Sequence, residues 1–237
     1  MSLKASWNRS VDPARPREAL SPDQLLHWLA LRPAKQEVCI ECGAGFGELA
    51  ASFRPHFKRV LATDIAPPAK KSPYGVKVVK ASAEHLPTTD ASVDLLISMQ
   101  ALHHFDTEGH LAEAARVLRP GGVFAALCWG EIILPEPILR AFRPTLAALA
   151  PHWEDTRASV ISGYADLAIA GKPLELPQAR MTRQIRLPGL QAEIRRWSAF
   201  RRAMAVGAEI PDPVLMGLDF TRLFPVHWPV VGRAFQV

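Results

Sequence analysis

The stretch Val38-Cys39-Ile40-Glu41-Cys42-Gly43-Ala44-Gly45-Phe46-Gly47-Glu48 reads as a short apolar strand that ends in three alternating glycines and opens a helix. Glycines at such a junction allow left-handed backbone and let a ligand approach the main chain closely. The dinucleotide fingerprint places its third glycine where Glu48 stands, which disfavours a nicotinamide or flavin site. Taken alone, the glycine turn is equally well explained as a tight strand-to-helix connection.

Outward from this turn, short apolar runs alternate with helix-like stretches: a helix over 48–56, runs at 60–64, 76–80 and 93–99, a helix over 108–118, and a run at 123–129. Strands alternating with helices imply parallel βαβ units with right-handed crossovers. The helix after Asp106 places Leu111, Ala114, Ala115 and Leu118 on one face and stops at Arg119-Pro120-Gly121-Gly122. Upstream, Ser21 with Pro22 predicts the capped start of a helix over 24–31. Downstream, a helix is expected over 138–150, a strand over 179–187, one helix over 191–204, and a final strand within 226–237. Asp64, at the end of the second strand and beyond the glycine turn, stands where an acid in an open α/β sheet can accept both hydroxyls of a ribose.

Composition is that of a globular protein: 237 residues, 49% hydrophobic and 22% charged. The longest purely apolar run, Val123 to Trp129, falls far short of the roughly 20 residues of a membrane span. With no charged-then-apolar leader read at the start, a cytoplasmic protein is expected. Three cysteines make no disulfide framework and suit a reducing compartment. The net charge of +5 is entirely C-terminal: residues 1–175 balance, whereas 176–237 hold nine arginines against four acids. Nucleic acid, an anionic small substrate and a solvated basic face are all compatible with that excess. Cys39 and Cys42 form a C-x-x-C, but residues three apart on a strand point to opposite faces, so packing is expected and no metal site is assigned.

Five segments together resemble the class I S-adenosylmethionine (SAM) dependent methyltransferases in order and spacing. They are Glu41 to Gly47, Asp64, Ala81-Ser82-Ala83-Glu84-His85-Leu86-Pro87, Asp94 to Phe105, and Arg116-Val117-Leu118-Arg119-Pro120-Gly121-Gly122. The block Gln100-Ala101-Leu102-His103-His104-Phe105-Asp106 is similar to the small-molecule group that includes trans-aconitate methyltransferase. The resemblance implies a Rossmann-like, doubly wound seven-stranded sheet with its last strand antiparallel. It divides one domain into a helical flap (1–36), a SAM-binding core (37–130), a cap insertion (131–175) and C-terminal strands with an arginine-rich helix (176–237).

The same resemblance implies site residues. Gly43, Ala44, Gly45 and Gly47 would line the methionine moiety, with Glu41 ordering the turn and reaching the amino group. Asp64 would hold the ribose and Ile65 pack on adenine, with Ser82, Ala83 and Glu84 at the adenine edge. Met99, Gln100 and Ala101 would face the sulfonium. Two departures stand out: Ser82 occupies a place the family often gives to an acid or amide, and Pro67-Pro68 interrupt the helix that usually walls the adenine pocket.

His103 is the expected general base toward the acceptor. Arg15, in the flap, and Arg196 are expected anion clamps, and Trp129, with Trp7, Trp153 and Trp197, could wall an apolar pocket. Arg195 and Arg202, seven apart on the single helix, would share a face. The expected reaction is methyl transfer from SAM to a small carboxylate- or hydroxyl-bearing acceptor, leaving S-adenosylhomocysteine. The alternatives are an RNA or protein methyltransferase, or a non-catalytic SAM-binding scaffold; nucleic acid and membrane partners are disfavoured.

Overall fold

The computed structural model describes residues 19–237. Strand β1 (Val38–Cys42) is buried along its whole length, its apolar residues and Glu41 alike, as in a central parallel strand covered on both faces. It pairs in parallel with β2 (Arg59–Asp64) on one side and β4 (Val93–Met99) on the other, while β3 (Val78–Lys80) extends the sheet beyond β2. Strand β5 (Leu118–Trp129) lies parallel to β4, and β8 (Phe224–Gln236) runs antiparallel to β5, from Val123 opposite Gln236 to Trp129 opposite Val230. The order β3-β2-β1-β4-β5-β8 makes the gap between β1 and β4 the point where chain direction across the sheet reverses. Ligands of open α/β sheets bind beyond the strand ends at such a point.

Among the described residues the sheet has eight strands where seven were expected. Strands β6 (Lys172–Leu174) and β7 (Ala179–Ile185) sit in tandem on the far edge of β8, β6 opposite Ala234–Gln236 and β7 opposite Phe224–Val230. The 13-residue β8 is long enough to hold both, and β6, only three residues long, has no period to read in the sequence.

Helices α1 (Pro22–Ala30) and α2 (Glu48–Phe53) cover one face, where Leu25, Leu29, Phe53 and Phe57 pack on Cys39, Leu95, Ile97 and Leu127. Ser21 and Gln24 close the expected capping box on α1. Helices α3 (Thr107–Val117) and α5 (Arg157–Ile161) cover the other face through Ala114, Val117 and Val160 on Ile40, Cys42, Leu96 and Phe124. Cys39 and Cys42 therefore lie in opposite cores, as the strand period requires.

The long C-terminal helix is replaced by two, α6 (Leu187–Arg195) and α7 (Ser198–Ala205), which join α4 (Glu136–Leu149) around Phe142, Leu190, Ile194, Ala203 and Val226. Buried positions step by three or four through Leu187, Leu190 and Ile194, then by five to Ala199. No single helix keeps one face buried across that step. Trp197 is extended there (φ −62°, ψ 146°) and its ring packs on Trp153 at 5.5 Å. The break overturns the expectation that Arg195 and Arg202 share a helical face.

Buried Asp94 accepts from the Glu37 and Val38 N–H groups at 2.9 and 2.7 Å and pairs with Arg119 at 3.1 Å, tying the entry of β1 to β4 and β5. Asp94→Ala, by leaving two buried backbone donors and a partly exposed guanidinium without their carboxylate, is expected to lower unfolding free energy by about 3 kcal/mol in urea denaturation.

Candidate active site

Two carboxylates hold the glycine turn. Glu41, buried on β1, accepts from the Ala50 N–H at 2.7 Å, at the third residue of α2, and so caps that helix from the neighbouring strand. Asp64, at the end of β2, accepts from Gly45 N–H at 2.9 Å through one oxygen and from Ala66 N–H at 2.9 Å through the other. Gly43 and Gly45 have φ of +69° and +51°. A Cβ on Gly43 would come within 2.5 Å of Ala101 Cβ, whereas one on Gly45 would meet nothing within 4 Å, so Gly45 borders open space. Burial pushes the Glu41 carboxyl up to about 8, with Ala50 opposing and the charges of Asp64 and Glu48 reinforcing the rise. Among the described residues no cation pairs with Glu41.

The loop after β3 is held as tightly. Ser82 Oγ donates to the Glu84 carboxylate, which also accepts from Asp106 N–H at 3.0 Å. The Ala83 carbonyl accepts from His110 Nδ1 at 2.8 Å, and His110 is buried. Ser82 thus acts through Glu84, two residues on. Ile65 is 69% exposed beside the turn. The segment after Asp64 is non-helical, as Pro67-Pro68 foretold, and it lines a groove of about 520 Å³ together with Gly45 and Phe46.

At the end of β4, Gln100 takes φ +56°, a left-handed conformation costly to a residue with a Cβ, and its N–H donates to Leu127 O at 2.9 Å. His103 is half-buried; its Nδ1 lies 3.0 Å from Tyr164 Oη, which in turn accepts from Cys128 Sγ at 2.9 Å. Burial, reinforced by His104, lowers the His103 pKa despite the opposing charge of Glu154, favouring the neutral imidazole.

Two cavities meet at Trp129. The larger, about 590 Å³, is bordered by Glu41, Gly43, Ala44, Gly45, Met99 and Trp129, and by Arg183 from β7. The smaller, about 260 Å³, is bordered by Gln100, Trp129, Trp153, Arg157, Trp197 and Trp228.

Residues 40–126 match the family described as a methyltransferase domain. An uncharacterized methyltransferase of Mycobacterium tuberculosis is 34% identical over 106 residues, covering 43% of this chain and 42% of that protein. The malonyl-[acyl-carrier protein] O-methyltransferase of Hamiltonella defensa is 33% identical over 105 residues, 41% of each chain. These curated relatives are thus matched over less than half their length. A solved structure from Anaeromyxobacter dehalogenans, provisionally described as a type II methyltransferase, superposes with a TM-score of 0.78 at 29% identity, covering 92% of this chain and 97% of that one. By the match over residues 40–126 and by its fold, the chain resembles the class I SAM-dependent methyltransferases.

The residues at this turn fit an adenosyl ligand: Gly45 opens onto the cleft, Asp64 keeps lone pairs free beyond its two backbone bonds, and Glu41 is a buried acid without a counter-cation among the described residues. Glu41, Gly43, Ala44, Gly45 and Met99 converge on the larger cavity, and Gln100 on the smaller, with Trp129 on both. Arg196 lies apart: exposed at the end of α6, it pairs with Glu193 and borders neither cavity. Arg15 and Trp7 lie outside the described residues.

Sequence reasoning missed Arg183, Tyr164 and Arg157. Arg183 and Arg157 sit on strand β7 and in the region after β5, where the family motifs give no signal; Tyr164 is marked only by its φ of +62°.

The raised Glu41 pKa has a definite sign. A carboxyl whose folded value exceeds its unfolded one binds more protons when folded, so its contribution to stability is present below about 4.5 and lost as pH rises to about 8. Between pH 6 and 8.5 the ligand-free wild type is expected to lose about 2 kcal/mol relative to Glu41→Gln, read by urea denaturation of both proteins.

Proposed function

We propose that this protein moves a methyl group from SAM to a small-molecule acceptor, in the cytoplasm, where three free, buried cysteines stay reduced. The observation that carries the reading is the pair of carboxylates, Glu41 and Asp64, holding a glycine turn open to a cleft that shares Trp129 with a second cavity. SAM bound there supplies a methyl carbon activated by its sulfonium, so that the C–S electron pair departs with sulfur as S-adenosylhomocysteine while an acceptor lone pair forms the new bond.

The protein's share is binding, alignment and exclusion of water. Glu41 receives the ligand's ammonium group, and Asp64 accepts from the ribose hydroxyls. Arg183, the cation among the described residues bordering the larger cavity, pairs with the methionine carboxylate. Ile65 lies against adenine, and Ala83 and Glu84, fixed by His110 and Ser82, present its edge with backbone groups. Gln100, Met99 and Ala101 line the approach to sulfur. His103, kept neutral by burial and oriented by Tyr164, takes the proton when the acceptor arrives as a protonated hydroxyl. Residues 131–175 act as the cap over the acceptor.

Isothermal titration is expected to show SAM and S-adenosylhomocysteine binding and no binding of NADH; absence of either adenosyl ligand from protein freed of co-purified molecules would refute the reading. Asp64→Ala is expected to weaken SAM binding by about 1.5–3 kcal/mol in the same titration, with the circular dichroism spectrum unchanged. Tyr164→Phe is expected to lower kcat about tenfold on a hydroxyl acceptor and to shift the acid limb of its pH profile, leaving SAM affinity unaltered.

A further inference from the structure

Four of the chain's six tryptophans, Trp129, Trp153, Trp197 and Trp228, border the single cavity of about 260 Å³. They come from four separate places: the end of β5, the turn after α4, the junction of α6 and α7, and β8. A core tryptophan needs no neighbour of its own kind, and here four indoles meet around empty space instead of filling it. The cavity is smaller than the roughly 300–1,000 Å³ that holds drug-sized ligands. Its polar wall consists of Gln100, Arg157, Glu193 and Ser198. The two charged members are already paired, Arg157 with Glu131 at 3.0 Å and Glu193 with Arg196.

That electrostatics selects the occupant. The Arg157 guanidinium lies 3.7 Å over the Trp153 ring, taking a ring face that an ammonium ligand would need. Its donors beyond the one given to Glu131 remain available to an oxygen anion. Flat indole walls favour stacking or edge contact with another ring over contact with a puckered or branched one.

Resting on the methyltransferase reading above, we propose that the cavity is the acceptor site and that the acceptor is a planar aromatic molecule of one or two rings bearing a phenolic or carboxylic oxygen. A carboxylic acceptor enters as the anion and a phenolic one gives its proton to His103, with Arg157 compensating the charge on oxygen. An oxygen lone pair forms the bond to the methyl carbon as the carbon–sulfur bond breaks toward sulfur; anion and sulfonium leave as a neutral ether or ester and a neutral thioether. Trp129, which borders both cavities, separates ring from cofactor and sets the angle of approach.

The test is calorimetric titration of the full chain, saturated with S-adenosylhomocysteine, with 4-hydroxybenzoate and 2-naphthol, against cyclohexanecarboxylate and cyclohexanol as size-matched non-aromatic probes. The aromatic probes are expected to bind at least about tenfold tighter than their matched partners. Trp197→Leu is expected to remove about tenfold of that affinity and Trp197→Phe to restore most of it, both variants binding S-adenosylhomocysteine within about twofold of wild type. Equal binding of aromatic and alicyclic probes, or aromatic binding untouched by Trp197→Leu, would overturn the inference and leave the cofactor reading standing. Failure of S-adenosylhomocysteine to bind would instead overturn the methyltransferase reading, and the acceptor assignment with it.

Discussion

Everything at the functional end of this molecule depends on two carboxylates gripping one turn. Glu41 reaches from β1 to the first turn of α2, and Asp64 reaches from β2 to Gly45. Without them, the backbone N–H groups of a left-handed glycine turn and a helix N-terminus would need water, and the turn would have no single shape. Of the two, Glu41 borders the larger cavity, as do Asp23 and Glu48. Burial makes it costly for Glu41 to ionise without a positive charge beside it.

The sheet supplies the frame for that grip. Because β2 and β3 lie on one side of β1 while β4 and β5 lie on the other, the carboxyl ends of β1, β2 and β4 splay around a common crevice. Glu41, Asp64, Met99 and Gln100 all stand at or near those ends. The unusual length of β8 does a second job. It closes the parallel sheet against β5 and carries β7 on its outer edge, which brings Arg183 and Met181 to the larger cavity and Trp228 to the smaller one. The third core, built by α4, α6 and α7, then hangs on the first residues of β8, where Phe224 and Val226 are buried.

The arginine excess of the C-terminal quarter resolves differently from its appearance in sequence. With the helix broken at Trp197, Arg195 turns toward Asp212 and Arg196 toward Glu193, while Arg183 and Arg233 lie near the rings of Trp228 and Phe235. No continuous basic stripe forms from Arg195, Arg196, Arg201 and Arg202, which weakens the case for an extended nucleic-acid surface on that helix. Among the described residues, the arginine that meets the aromatic cavity is Arg157, from a region with balanced charge.

The sequence by itself determined the parallel α/β core, the glycine turn and the acid at the end of the second strand. All three rest on local rules: a glycine needed at positive φ, an acid at a strand end, apolar runs of strand length. Gly43, Gly45 and Asp64 were legible because neighbours along the chain dictate their geometry, whereas Glu41 was singled out by the family resemblance alone. The tertiary structure alone decided where the helix over 191–204 would break, how β6 and β7 would share one edge, and that Tyr164 would meet His103 across 61 residues. It alone decided that four tryptophans scattered over a hundred residues would surround one space. Such contacts depend on which surfaces the sheet leaves facing each other, and side-chain packing between distant segments leaves no period or spacing in the chain from which to read it.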